Sequence, residues 1–97
     1  MAWYRKAADQ GFADAQFNLA AFYATGRGVR QDNGQAAAWC RKAADQGNAT
    51  AQYNMGTMYE TGKGVPRNRA EAIMWFRKAA DQGHDNARKA LHQMGQQ

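Results

Sequence analysis

Apolar residues along the chain recur at helical spacing and do not alternate as they would in strands. Ala15, Leu19, Phe22 and Tyr23 fall at i, i+4, i+7 and i+8, one stripe on one helix face. Ala51, Met55, Met58 and Tyr59 repeat that stripe. The two stripes predict helices over residues 13–24 and 49–60, here termed A-type. Gly26 and Gly62 then end them, because glycine takes the left-handed cap conformation cheaply. A second stripe, Ala36, Trp39, Cys40, Ala43 and Ala44, predicts a B-type helix. Asp32 stands as its N-cap, as Asn68 does for the next, with Gln35 and Glu71 three residues on in capping-box spacing. Gly47 closes the B helix, as Gly11 and Gly83 close its equivalents. Val29 and Val65 are expected to tuck the intervening loops onto the core.

The stripes recur because the sequence repeats. Trp3, Trp39 and Trp75 are 36 residues apart, and each opens the phrase Trp-x-Arg-Lys-Ala-Ala-Asp-Gln-Gly. A second phrase, Thr-Gly-(Arg/Lys)-Gly-Val, occupies residues 25–29 and 61–65. Residues 3–38 and 39–74 are identical at 18 of 36 positions, with no insertion between them. Small residues gather at the stripe edges: Ala20 and Gly56 share a position, and Ala43-Ala44 matches Ala79-Ala80. Such residues let helices approach closely. The expected fold is all-α, a superhelix of about six helices in helix-turn-helix units of 36 residues. Self-similarity at a fixed period favours this solenoid over a compact antiparallel bundle.

The residues that carry the repeat resemble the Sel-1-like repeat, a relative of the tetratricopeptide repeat. They are Ala13-x-Ala15-Gln16-Phe17-Asn18-Leu19, Tyr23, Thr25-Gly26-x-Gly28-Val29 and Trp39 through Gly47. The second unit has Ala49-x-Ala51-Gln52-Tyr53-Asn54-Met55-Gly56, Tyr59, Thr61-Gly62-x-Gly64-Val65 and Trp75 through Gly83. The resemblance covers nearly the whole chain. It implies a right-handed α/α superhelix that scaffolds protein complexes. Some secreted members carry cysteine pairs that staple each hairpin, whereas this chain has Cys40 alone. The resemblance therefore implies a protein that is not an enzyme and needs no cofactor.

The repeat divides the chain into a partial unit at 1–11, units at 12–47 and 48–83, and a terminal capping helix at 84–97. In that last helix Ala87, Leu91 and Met94 keep the inward stripe, while Lys89 stands where Phe17 and Tyr53 do. His92 replaces Ala20 and Gly56, and Gly95 replaces Tyr23 and Tyr59, a polar outer face suited to the end of an array. The N-terminus starts part-way through a B helix, which predicts a piece of a longer repeat protein. It also predicts an exposed face around Trp3, Tyr4 and Ala7, through which two copies would associate as a homodimer.

Composition narrows the function classes. The chain has 13 Lys and Arg against 8 Asp and Glu, a net charge of +5, spread along it without blocks. A dispersed basic balance reads as a solvated surface, and no nucleic-acid partner is expected. Arg5-Lys6, Arg41-Lys42 and Arg77-Lys78 form a basic ladder, with Asp9, Asp45 and Asp81 at i+3 from the lysines for intrahelical pairing. No run of about 18 apolar residues is present, so no membrane span is expected. The sequence carries no visible signal peptide and leaves cytoplasm and periplasm both open. His84 and His92 are far from Cys40, and no metal-ligand spacing occurs. Nor is there a nucleophile triad, a phosphate loop or a carboxylate pair. Gly-x-Gly lies between helices, where it reads as capping. Trp39 and Trp75 read as core.

The expected functional surface is a groove lined by the A helices, taking a protein or peptide partner. Asp14, Asn18, Ala21 and Thr25 share a face distinct from the apolar stripe. Thr50, Asn54, Thr57 and Thr61 repeat it, followed by Asn86, Ala90 and Gln93. Amides both donate and accept, so Asn18 and Asn54 suit the main chain of an extended peptide. Phe17 and Tyr53 flank them as apolar anchors. The competing reading assigns the asparagines to bonds between helices and the aromatics to the core.

Overall fold

A computed structural model describes the backbone of residues 2–96 and the side chains of residues 5–96. Among the described residues there are six helices and no strand: α1 (Ala2–Asp9), α2 (Ala13–Thr25), α3 (Asn33–Asp45), α4 (Ala49–Thr61), α5 (Arg69–Asp81) and α6 (Asp85–Gln93). Helices α2, α4 and α6 are A-type, and α1, α3 and α5 are B-type. Each helix packs chiefly on its neighbours in sequence. The extents are 41 × 23 × 16 Å. A helix of 13 residues such as α2 is about 20 Å long at 1.5 Å per residue. The long axis is thus twice a helix length, so the helices stack side by side along it, as in a solenoid and not in a bundle.

Local chemistry sets the helix ends where the sequence places them. The Asp32 carboxylate accepts the Gln35 N–H at 3.1 Å, and the Asn68 side chain accepts the Glu71 N–H at 3.1 Å. Both satisfy a donor that the first helical turn leaves without a partner. Gly26 (φ 73°) and Gly62 (φ 75°) close α2 and α4 in the left-handed region. The B helices end differently. The Asn48 N–H reaches the Ala43 carbonyl, the Gly47 N–H reaches the Ala44 carbonyl, and His84 and Gly83 repeat the pair on Ala79 and Ala80. That pair of hydrogen bonds is a Schellman turn. Val29 and Val65 are half-buried in their loops. The second loop lies against the first residue of α3: a Cβ on Gly64 would run into the Asn33 carbonyl.

The core is rich in alanine, which brings the helices close. One cluster joins Ala7, Ala8, Leu19, Trp39, Cys40, Met55 and Trp75 among others, and a second joins Ala72, Phe76, Ala79, Ala87 and Leu91. Trp39 and Trp75 are 8% and 2% exposed, as core residues should be. Gly56 belongs to this close packing, since a Cβ there would sit 2.6 Å from the Phe76 ring. The first repeat has Ala20 opposite a cysteine, Cys40, at the same two positions.

Two expectations are corrected. Ala7, predicted on an open face, is 7% exposed and belongs to the first cluster, because it lies on the side of α1 that meets α2. The lysines of the basic ladder do not pair with the aspartates. Lys42 Nζ lies 4.5 Å from the Trp39 ring centre, and Lys78 Nζ lies 5.2 Å from that of Trp75. A cation over an indole face keeps its ammonium wet while its stem covers the ring. Asp45 meets Arg41 instead, at 4.0 Å.

Candidate functional site

The predicted groove residues divide into those the fold employs and those it leaves unengaged. Asp14 is exposed and accepts a bond from the Asn48 side chain at 3.3 Å, tying the start of α2 to the start of α4. The Thr57 hydroxyl donates to the Tyr53 carbonyl at 3.3 Å within its own helix. Phe17 is half-buried against the first core cluster. The Tyr53 ring meets Phe76 at 5.6 Å and stacks on His84 at 4.8 Å. The aromatics expected as free anchors are therefore committed to packing, in line with the competing reading. Thr50 and Asn86 are exposed. Asn18 is exposed and Asn54 is half-buried. Neither amide has a hydrogen-bond partner among the described residues, so the asparagines do not bridge helices.

The buried polar groups that bridge helices are glutamines, and the sequence pattern did not single them out for this role. Gln16 and Gln52 are 4% and 6% exposed. Gln16 Nε2 donates to the Ala8 carbonyl at 3.2 Å, and its Oε1 accepts from Gln46 Nε2 at 2.6 Å. Gln52 does the same one repeat later, donating to Ala44 at 3.2 Å and accepting from Gln82 at 2.9 Å. Each buried glutamine thus clasps three consecutive helices, α1–α2–α3 or α3–α4–α5. Position 48 and its equivalent 84 were also missed. Asn48 and His84 cap α4 and α6, accepting from the N–H groups of Ala51 and Ala87. Both also reach back to the preceding A helix, through Asp14 and Tyr53. The arginines of the ladder bind along the stack as well: Arg5 to the Tyr23 hydroxyl, and Arg41 to the Tyr59 hydroxyl at 3.2 Å.

The first position in this series differs. Phe12 caps α2 with no side-chain bond and is 59% exposed. A hollow of about 400 Å³ opens beside it, lined by Lys6, Ala7, Gln10, Phe12, Asp14 and Ala15. Trp3 and Tyr4, predicted to build an association face here, have side chains outside the described residues. At the far end, Lys89 and His92 are exposed as expected. A hollow of about 370 Å³ lies there beside Arg88, Lys89, His92 and Gln93.

Reactive chemistry is sparse. Cys40 is buried, its Sγ lies 3.3 Å from the Ala51 carbonyl, and desolvation pushes the thiol up to about 12. A thiol so shielded is a poor nucleophile. No group of three His, Cys, Asp or Glu side chains suited to a metal occurs among the described residues. No helix there is long and apolar enough to cross a membrane.

The repeat geometry is matched by a family model. The Sel1 repeat model fits residues 1–12, 13–48 and 49–84. The chain belongs to the Sel1-repeat family. Three solved structures share its fold. A Sel1 repeat protein from Oxalobacter formigenes superposes with a TM-score of 0.92 at 43% identity, over 94% of this chain and 68% of that one. The protective antigen c5321 of uropathogenic Escherichia coli gives 0.91 at 45% identity, over 94% of this chain and only 20% of that one. Helicobacter pylori cysteine rich protein B gives 0.88 at 28% identity, over 92% of this chain and 67% of that one. The chain thus spans between a fifth and about two thirds of these Sel1 structures. No curated protein matches it. Sel1-repeat proteins are generally non-catalytic scaffolds for protein interactions.

Proposed function

We propose that this Sel1-repeat chain is a non-catalytic scaffold that binds an extended segment of another protein along its A-helix face. The observation that carries the reading is the pair Asn18 and Asn54. They occupy the same position one repeat apart, and their amides are among the polar groups on that face without a hydrogen-bond partner among the described residues. Two amides at the spacing of one repeat suit a peptide main chain, because each donates and accepts without regard to side-chain identity. Thr50 and Asn86 flank them with further polar contacts. The half-buried Phe17 and Tyr53 contribute only their exposed edges, so side-chain selectivity on this face is low.

The test is a combinatorial library of unstructured peptides displayed against the protein, with hits measured by fluorescence anisotropy. The expected result is binding that the double variant Asn18→Ala, Asn54→Ala abolishes without loss of helical circular dichroism. Failure of the library to yield a binder, or equal binding by the variant, overturns the reading.

A second reading, self-association through the N-terminal face, has its own observation. Phe12 is the most exposed large hydrophobic side chain among the described residues and stands at the rim of a hollow. Molar mass that rises with protein concentration in the absence of ligand supports it. A constant monomer mass refutes it.

A further inference from the structure

The joints between successive B helices carry the same set of groups, and the fold leaves their positive charge uncompensated. Between α3 and α5, the Arg41 guanidinium donates to the Tyr59 hydroxyl at 3.2 Å and lies 5.8 Å from the centre of the Trp75 ring. Lys78 Nζ stands over the same ring at 5.2 Å. Between α1 and α3, Arg5 donates to the Tyr23 hydroxyl, and Lys42 Nζ stands over the Trp39 ring at 4.5 Å. Each joint thus gathers an arginine from one B helix, a lysine and a tryptophan from the next, and a hydroxyl from the A helix between them. The corresponding residues are 36 positions apart in every case. Both joints are internal to the stack, so neither depends on where the chain begins or stops.

Each joint has the makings of an anion receptor. Arg5, Lys42 and Lys78 have no ion pair among the described residues. Arg41 meets one carboxylate, Asp45, at 4.0 Å, with 51% and 59% of the two side chains exposed. A pair so exposed gains little in water and gives way to a better placed carboxylate. Donors are also spare. A guanidinium carries several N–H groups, and a hydroxyl that accepts a bond still has its own proton to donate. Neither the Tyr23 nor the Tyr59 hydroxyl has an acceptor among the described residues. The indole faces hold Lys42 and Lys78 in place, so part of the ordering cost of binding is already met.

The arrangement selects among anions. Asp9, Asp45 and Asp81 stand four residues after Arg5, Arg41 and Arg77, so cations and carboxylates alternate along the B helices. A nucleic-acid backbone is charged at every unit and binds by broad neutralisation, which these aspartates oppose. An extended polypeptide with carboxylates at intervals can meet the cations and step over the aspartates. Arginine also matches the two oxygens of a carboxylate. The surface is separate from the asparagine face, because Tyr23 and Tyr59 follow Asn18 and Asn54 by five residues, about 140° round a helix of 3.6 residues per turn.

We propose that the B helices form a second binding surface, which takes an acidic extended segment of a partner protein at the Arg5–Tyr23–Lys42 and Arg41–Tyr59–Lys78 joints. It goes beyond the A-helix reading and does not need it.

Fluorescence anisotropy of a labelled oligo-glutamate peptide against the whole chain at low ionic strength tests this. The expected result is binding that weakens as salt is added. The double variant Arg41→Gln, Lys78→Gln should weaken it about tenfold, as the loss of two exposed ion pairs would. Tyr59→Phe keeps the ring, removes only the hydroxyl and should weaken binding in the same direction. Arg88→Gln, Lys89→Gln removes equal charge from exposed positions on α6 and should leave binding unchanged. Asn18→Ala, Asn54→Ala should also bind oligo-glutamate as the wild type does. Circular dichroism checks that each variant folds. Absence of binding at low salt, or equal loss in the Arg88, Lys89 variant or in the asparagine variant, overturns the proposal. Tighter binding of single-stranded RNA or of phosphatidylserine vesicles than of oligo-glutamate overturns the acidic segment as occupant.

Discussion

Replacing Gly56 with alanine sets two effects of known sign against each other. Alanine in a helix interior is favoured over glycine by about 1 kcal/mol. The added Cβ would lie 2.6 Å from the Cδ1 and Cε1 atoms of Phe76. That ring is 1% exposed and has no room to withdraw. An extra methyl group forced into a filled core costs about 1–3 kcal/mol. With about 2 kcal/mol taken for the clash, Gly56→Ala should destabilise the protein by about 1 kcal/mol. The first repeat suggests how the clash is relieved, because it has Ala20 and the smaller Cys40 at the positions of Gly56 and Phe76. In a Phe76→Cys background the ring is gone, and Gly56→Ala should stabilise by about 1 kcal/mol. The two backgrounds then differ by about 2 kcal/mol, a coupling well above the error of a double-mutant cycle. Urea unfolding followed by far-ultraviolet circular dichroism reads this directly. With a slope near 1 kcal/mol per molar, the midpoint should move about 1 M in opposite directions in the two backgrounds. If Gly56→Ala raises the midpoint equally in both, the contact with Phe76 is not the reason for a glycine at that position.

Two further outcomes follow from groups already described. Gln52→Ala removes a buried amide and strips partners from the Ala44 carbonyl and the Gln82 side chain, so thermal unfolding should report a loss of about 1–3 kcal/mol. An exposed control, Gln93→Ala, should change stability by less than about 0.5 kcal/mol. Burial raises the Cys40 thiol from 9.0 to about 12, so its contribution is fully present below pH 9 and is lost as pH rises toward 12. The stability lost between pH 9 and 12 should therefore be smaller in a Cys40→Ala variant than in the wild type, and alkylation of the wild-type thiol at pH 8 should track global unfolding.

The starts of α3 and α5 and the glycine-marked helix ends were legible because each is written locally, as an Asp or Asn cap or a glycine beside a periodic stripe, and the repeat states each signal more than once; the caps of α4 and α6, Asn48 and His84, were not. The stack was legible because self-similarity at 36 residues admits few other architectures. The glutamine clasps were not, since an apolar stripe leaves Gln16 and Gln52 uncounted and a polar side chain is read as exposed by default. Their burial follows from the approach of three helices, which no single segment encodes. The lysines went astray for a similar reason. Asp at i+3 is a valid helical partner, but in water such a pair gains little, and the tryptophan face lies closer to the lysine stem. Asn18 and Asn54 were chosen by position alone, while the commitment of Tyr53 became visible only with Phe76 and His84 around it.

The clasps have an evolutionary consequence. Donor and acceptor are the same residue type at every joint, so a whole unit can be duplicated or lost in tandem while each surviving glutamine still finds a glutamine across the seam. A gain or loss of any other length would strand a buried amide, at a cost of about 1–3 kcal/mol. Selection on such a gene is therefore lenient toward changes in array length and severe toward changes in period, which lets reach evolve without redesign of the joint.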